Sequence, residues 1–163
     1  MSRVYFGVGS NVGDRLENIR EAIRRLSARM KILRKSSVYE TSPLEITDQP
    51  DFLNAVLEAE TDLSWAETLS VIKKIEADMG REKTIRFGPR NIDIDILFYD
   101  DVVMDTPGLT IPHPRMHTRA FVLQPLSEIV PEYVHPLLKK TVAQIYSGLH
   151  DETQRISRLD AAI

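Results

Sequence analysis

Asp93 and Asp95 stand in the run Ile92-Asp93-Ile94-Asp95-Ile96-Leu97-Phe98, where apolar residues alternate with carboxylates. Side chains on a strand point to opposite faces with period two. The spacing therefore predicts both carboxylates on one face and Ile92, Ile94, Ile96 and Phe98 on the other. At a rise of about 3.3 Å per residue the two Asp side chains are rooted about 6.6 Å apart. Two bare carboxylates repel unless something positive lies between them, and their oxygens suit a hard cation. Just upstream, Arg81, Lys83, Arg86 and Arg90 form a cationic group around the corner Gly88-Pro89. Guanidinium forks match phosphate oxygens. Carboxylates for a metal beside arginines for phosphates point to nucleotide-dependent phosphoryl chemistry. Alternating Ile-Asp is also how a half-exposed strand looks, with Asp merely facing water. Asp is disfavoured in strands, however, and the adjoining Arg-Phe-Gly-Pro-Arg turn supports the functional reading.

Three further sets bear on chemistry. In Pro112-His113-Pro114-Arg115-Met116-His117-Thr118-Arg119-Ala120-Phe121, two His and two Arg lie beside rigid prolines. A solvated helix start explains them poorly, because the positive end of a helix disfavours cations unless an anion is near. Thr41, Pro43, Leu44, Phe52 and Asn54 form another set, in which Asn offers a donor and an acceptor to a flat heterocycle and Phe can stack on it. Taken alone these read as a turn followed by an ordinary strand. Gly7-Val8-Gly9-Ser10-Asn11-Val12-Gly13 has the spacing G-x-G-x-x-x-G, which is wrong for a dinucleotide fingerprint. Its glycines instead allow a tight turn and the close approach of another group. Lys73 and Glu76 read as a plain exposed helix pair.

The elements that must position these residues follow from periodicity and punctuation. Val4–Gly9 reads as a strand. Asp14 with Glu17 opens a helix carrying Leu16, Ile19, Ile23, Leu26 and Met30, and a β-branched strand follows over 32–39. Residues 40–51 form a loop longer than an ordinary connection, which favours a functional one. Phe52–Glu60 is the next strand. Ser64 and Glu67 form a capping box for a second helix with Leu69, Ile72, Ile75 and Met79 on one stripe, ended by Gly80. The Asp-bearing strand then leads to a turn at Asp100-Asp101 and a hairpin through Pro107-Gly108. Thr118 is expected to cap a helix running to Val130, Lys139–Leu149 to form a last helix, and the polar tail from Asp151 to fray. The order β-α-β-β-α-β predicts a ferredoxin-like α+β fold: an antiparallel sheet with helices packed on it, followed by C-terminal helices.

Composition narrows the classes. At 163 residues with 42% hydrophobic content, residues 1–163 make one domain with material for a core. A net charge of −3 provides no global basic field for nucleic acid. The absence of cysteine excludes disulfides and thiolate chemistry. No run approaches the length of a membrane span, and the apolar start breaks at Gly9-Ser10-Asn11, so a cytoplasmic protein is expected.

These residues together resemble the 6-hydroxymethyl-7,8-dihydropterin pyrophosphokinase family. The resemblance is carried by Gly9-Ser10-Asn11, Thr41…Pro43-Leu44, Asp48-Gln49-Pro50-Asp51-Phe52-Leu53-Asn54, Gly88-Pro89-Arg90 with Asp93-Ile94-Asp95, and Pro112-His113, in the family's order. It implies transfer of pyrophosphate from ATP to the pterin alcohol, giving AMP and the pterin diphosphate, in folate biosynthesis. It implies two Mg²⁺ ions on Asp93 and Asp95, with Arg81 and Arg90 also catalytic. Thr41, Pro43, Leu44, Phe52, Asn54 and Phe121 would form the pterin site, the two Phe rings sandwiching the heterocycle. Lys73, Glu76, Arg81, Arg90, Ile96, His113 and Arg119 would bind ATP, and the 81–90 loop would close over it. The partners implied are small molecules, with neither nucleic acid nor membrane, and a monomer is compatible with this. Phe87 stands where many members have Trp, Lys73 where Gln is common, and Pro114 where an aromatic is common. Two other readings compete: a two-metal nucleotide phosphohydrolase, and a ferredoxin-like regulatory module without catalysis.

Overall fold

The computed structural model describes residues 1–43, 48–80, 91–149 and 154–163. Among these residues, eight strands and four α-helices follow one another as β1 (Ser2–Ser10), α1 (Arg15–Ser27), β2 (Lys31–Lys35), β3 (Val38–Thr41), β4 (Phe52–Thr61), α2 (Trp65–Asp78), β5 (Asp93–Tyr99), β6 (Met104–Asp105), β7 (Thr110–Ile111), α3 (Ala120–Ile129), α4 (Val142–Ser147) and β8 (Ile156–Leu159). A short 3₁₀ turn, Met116–Thr118, precedes α3. The main sheet has the order β5-β1-β4-β3-β8, with β2 also paired to β4, and every pairing is antiparallel. Strands β2 and β3 lie end to end along β4, so the β-α-β-β-α-β order closes into the expected ferredoxin-like sheet. No described helix is long and apolar enough to cross a membrane.

Local chemistry accounts for the helix starts. Asp14 accepts a hydrogen bond from the Glu17 amide, and Ser64 with Glu67, and Thr141 with Gln144, each make a reciprocal capping box. Gly80 lies at φ +78°, the left-handed region that ends a helix readily without a Cβ.

The alternation of β1, β4 and β5 divides the interior in two. Val4, Phe6, Val8, Leu53, Ala55, Leu57, Ile94 and Ile96 pack under α1 and α2. Tyr5, Val56 and Leu97 face the other way, under Val122, Leu126 and Ile129 of α3 and Val142 of α4. The C-terminal helices thus cover the second face of the sheet, but only beside its Tyr5–Val56–Leu97 half.

Several expectations are corrected. Phe98 does not share a face with the isoleucines: the register between β1 and β5 shifts at Tyr5/Phe6, so Phe98 pairs with Tyr5 and packs edge-on to its ring at 5.9 Å. One extra residue in a strand flips the side-chain alternation beyond it. The segment 32–39 is two strands, because Ser36 gives its amide to the Val56 carbonyl and accepts the Val56 amide on its hydroxyl. Thr118 caps no helix. It lies in the 3₁₀ turn and donates to the Arg115 carbonyl, and α3 begins after Arg119. The last helix is shorter than 139–149, because Thr141 is its cap. From Ile156 onward the tail does not fray, since β8 adds to the edge of β3 and Leu159 and Ile163 pack on the core.

Candidate active site

Asp93 and Asp95 lie half-buried on one face of β5, as their spacing predicted. In the sheet register Asp93 is opposite Gly9 of β1, and Gly9 on its other side is opposite Asn54 of β4. Asp95 is opposite Gly7 in the same way. Asn54 and the two carboxylates therefore occupy the same face, separated by a central strand that carries no side chain there. Two strand spacings put Asn54 and Asp93 about 10 Å apart. This is the half of the second face next to the part that α3 and α4 cover.

Asn54 is held firmly. Its Nδ2 donates to Thr41 Oγ1 at 2.7 Å, which turns Oδ1 toward Gly9. A Cβ on Gly9 would stand 2.5 Å from that oxygen, far inside van der Waals contact. A side chain at Gly9 would therefore force the Asn54 carboxamide to shift. Thr41 is itself fully buried, so its hydroxyl orients Asn54 instead of facing solvent. Phe52 is paired opposite Thr41 at the start of β4.

The loop after β1 holds the end of the β3–β4 connection. Buried Asn11 donates from Nδ2 to Gln49 Oε1 at 2.9 Å and to the Pro50 carbonyl at 3.0 Å. Arg15 donates to the Asp51 carbonyl at 2.9 Å and pairs with Glu40 at 2.8 Å. The Gly9-Ser10-Asn11 signature is thus a brace for the segment leading into Phe52 and Asn54.

β5 is an edge strand, and its outward backbone groups find specific partners. Glu76 of α2, only 3% exposed, accepts the Ile94 amide on Oε2 at 3.1 Å. Lys73 Nζ lies 3.7 Å from the other oxygen. The expectation of a plain exposed pair is therefore corrected: Lys73 is exposed, but Glu76 is buried against the Asp-bearing strand. The helical spacing carried no sign of this, since it depends on where β5 runs. Farther along, the His113 amide donates to the Leu97 carbonyl at 3.0 Å. Just before β5, the Asn91 side chain donates to the Met79 carbonyl at the end of α2 at 2.7 Å.

Beside β5 a cleft of about 270 Å³ is lined by Lys73, Asp95, Ile96 and His113 among others, between α2 and the β6–β7 hairpin. Four residues expected on the nucleotide side or at the metal converge there. His113 Nδ1 accepts the Arg115 amide at 3.2 Å. Burial first, then the charges of Arg119 and Arg115, push the imidazole down to about 4, so it is neutral at pH 7. Arg119 sits at the N-terminus of α3 with no side-chain cap and lies 5.5 Å over the Phe121 ring. Phe121 is half-buried against the second cluster. Leu44, Arg81 and Arg90 lie outside the described residues, as do Lys83, Arg86 and Gly88-Pro89.

The donor set fits a hard divalent ion. No group of three or more His, Cys, Asp or Glu gathers among the described residues, so a cation held at Asp93 and Asp95 would draw two carboxylates from them. Mg²⁺ is commonly held in this way, by one or two carboxylates with its remaining positions filled by water and substrate phosphate.

Comparison with known proteins bears on the family and the fold. The family model for 7,8-dihydro-6-hydroxymethylpterin-pyrophosphokinase matches residues 5–131. The chain is similar to the 2-amino-4-hydroxy-6-hydroxymethyldihydropteridine pyrophosphokinase of Aquifex aeolicus, with 44% identity over 88% of this chain and 90% of that protein. It is 46% identical to the folic acid synthesis protein FOL1 of Dictyostelium discoideum, across 90% of this chain but only 22% of that longer protein. A crystal structure of Plasmodium falciparum HPPK-DHPS with pteroate shares the fold at a TM-score of 0.73, with 20% identity over 90% of this chain and 42% of that one. With a family model covering most of its length and a relative matched nearly end to end, the chain belongs to the 7,8-dihydro-6-hydroxymethylpterin-pyrophosphokinase family.

Proposed function

We propose that this chain transfers the pyrophosphoryl group of ATP to the hydroxymethyl oxygen of 6-hydroxymethyl-7,8-dihydropterin and releases AMP, as a cytoplasmic enzyme of folate synthesis. The observation that carries the reading is the row Asn54–Gly9–Asp93. It sets a heterocycle-reading amide and a carboxylate pair on one sheet face with only backbone between them. A span of about 10 Å suits a two-ring heterocycle whose one-carbon arm reaches toward the carboxylates.

Asn54, its amide fixed by Thr41, reads the hydrogen-bonding edge of the pterin. Phe52 and Phe121 enclose the ring, and Pro43 and Leu44 complete the pocket. Asp93 and Asp95 hold Mg²⁺, two ions in the full complex, which when bound neutralise the phosphate charge and orient the chain of phosphates. Glu76 keeps β5 in place by accepting the Ile94 amide, and so fixes the attitude of both carboxylates. With Nδ1 accepting the Arg115 amide, the neutral His113 carries its hydrogen on Nε2 and donates a hydrogen bond from there to a phosphate oxygen, without a charge to desolvate. Lys73 and Arg119 add positive charge at the nucleotide, and Arg81 and Arg90 do so from the preceding segment. Attack is at the β-phosphorus: the bond from hydroxymethyl oxygen to Pβ forms, that from Pβ to the α–β bridging oxygen breaks, and AMP leaves. Such transfer asks the protein mainly for positioning and charge stabilisation, which this site supplies.

The test is incubation with ATP, Mg²⁺ and the hydroxymethyl dihydropterin, followed by nucleotide and pterin analysis. AMP and a pterin diphosphate in equal amounts are expected. ADP, or nucleotide hydrolysis that ignores the pterin, would overturn the assignment.

A further inference from the structure

Ser42 lies between Thr41 and Pro43, at the point where β3 leaves the sheet toward the pterin pocket, and it is bound on every side by the C-terminal segment. Its amide donates to the Arg155 carbonyl at 3.0 Å, its hydroxyl accepts the Arg155 amide at 2.9 Å, and its carbonyl accepts Gln154 Nε2 at 2.7 Å. Beyond this point β8 continues as the partner of β3, with Ile156 opposite Thr41. At the other end of the β3–β4 connection, Arg155 Nη2 stands 3.7 Å from Asp51 Oδ2, next to Phe52. Gln154 and Arg155 thus touch both ends of the connection that bears the pocket, and they lie beyond the stretch that the family model matches, which ends at residue 131.

We infer that Gln154 and Arg155 are positioning residues for the pterin: through Ser42 they fix the backbone of Thr41 and Pro43, and so the orientation of Asn54. The inference rests on the reading of this pocket as the pterin site. The Arg155–Asp51 pair is a minor part of it, because the Arg155 side chain is 80% exposed and water screens such pairs. The weight falls on the hydrogen bonds at Ser42. These satisfy the backbone groups of Ser42 at the end of β3, and ordering that backbone before the ligand arrives reduces the cost of binding. The residues that line the nucleotide cleft, Lys73, Asp95 and His113 among them, include none from this segment, so nucleotide binding is left alone.

The experiment compares steady-state kinetics of the wild type with Ser42→Ala/Gln154→Ala and with Ser42→Thr. Losing two hydrogen bonds of ordinary strength is expected to raise the pterin KM about tenfold, with the ATP KM and kcat changed by less than about twofold. Ser42→Thr keeps the accepting oxygen and should stay near the wild type. If the double variant does not fold, Gln154→Ala alone carries the test, with a smaller rise in the pterin KM only. An unchanged pterin KM in a folded variant, or equal rises in both KM values, overturns the inference while leaving the function intact. A wild type that makes no AMP overturns the function itself.

Discussion

Replacing Gly9 by Ala perturbs the site through one atom. The new Cβ would lie 2.5 Å from Asn54 Oδ1 and 3.5 Å from the Leu53 carbonyl oxygen. Backbone bounds it on the Leu53 side, and β1 is paired on both flanks, so the Asn54 side chain must give way. Moving its oxygen by about 0.7 Å or more disturbs the 2.7 Å bond from Nδ2 to Thr41. Overpacking of this kind costs about 1–3 kcal/mol, and a lost hydrogen bond about 0.5–1.5 kcal/mol. Part of this falls on stability and part on the pterin, whose recognition we propose to depend on the orientation of Asn54. A fall in pterin affinity of about 10- to 100-fold is therefore expected, equivalent to about 1.4–2.7 kcal/mol. Affinity for ATP with Mg²⁺ should change little. A double-mutant cycle by isothermal titration isolates the cause. In an Asn54→Ala background the clashing oxygen is gone, so the second substitution at Gly9 should cost less than about 0.5 kcal/mol. If the losses at Gly9 and Asn54 simply add, the contact between them is not what makes glycine necessary.

Asp93→Ala and Asp95→Ala should each lower turnover by several orders of magnitude without unfolding the chain, since both side chains are only half-buried and lie on the face of β5 opposite the core isoleucines; near wild-type rates at saturating Mg²⁺ would refute the metal assignment. His113, held at about 4, is neutral when folded, whereas the unfolded side chain protonates near 6.5. Between those values the unfolded state binds the extra proton, so this residue's contribution to stability falls with decreasing pH, by at most about 1.4 kcal/mol per pH unit. NMR titration of the imidazole should show the midpoint well below 6, rising when ATP and Mg²⁺ bring anionic oxygens to the site. A midpoint near 6.5 in the free protein would refute it. Burial pushes the Glu58 carboxyl up, but hydrogen bonds from Arg34 and Tyr5 outweigh it and leave it below the usual range. Arg34→Ala should therefore destabilise by about 1–2 kcal/mol in urea unfolding, well below a fully buried pair, because water screens the half-exposed Arg34 and Glu58 keeps Arg3 and Tyr5. Loss below about 0.5 kcal/mol would mean that Arg3 and Tyr5 suffice for Glu58.

Much of the site is legible in the amino-acid sequence, because its information is local. The period of two places Asp93 and Asp95 on one face whatever the rest of the chain does. The serine and threonine caps, the glycine stop at Gly80, and the strand–helix order depend on neighbours a few residues apart. Other features are decided by contacts between distant parts of the chain. The carboxylate of Glu76 reaches β5 only because α2 crosses that edge, and a side chain at Gly9 would crowd Asn54 only because sheet register sets the two side by side. Phe98 changes face because of a bulge that alternation cannot announce. The polar tail becomes a strand because β3 offers an open edge, and backbone hydrogen bonds ask little of side chains. The sequence by itself therefore determined which residues could do the chemistry, through spacing and residue type. Tertiary structure alone decided which are buried, what holds them, and that Asn54 and the Asp93–Asp95 pair share one face, because register and packing are properties of segments that meet only when the chain has folded.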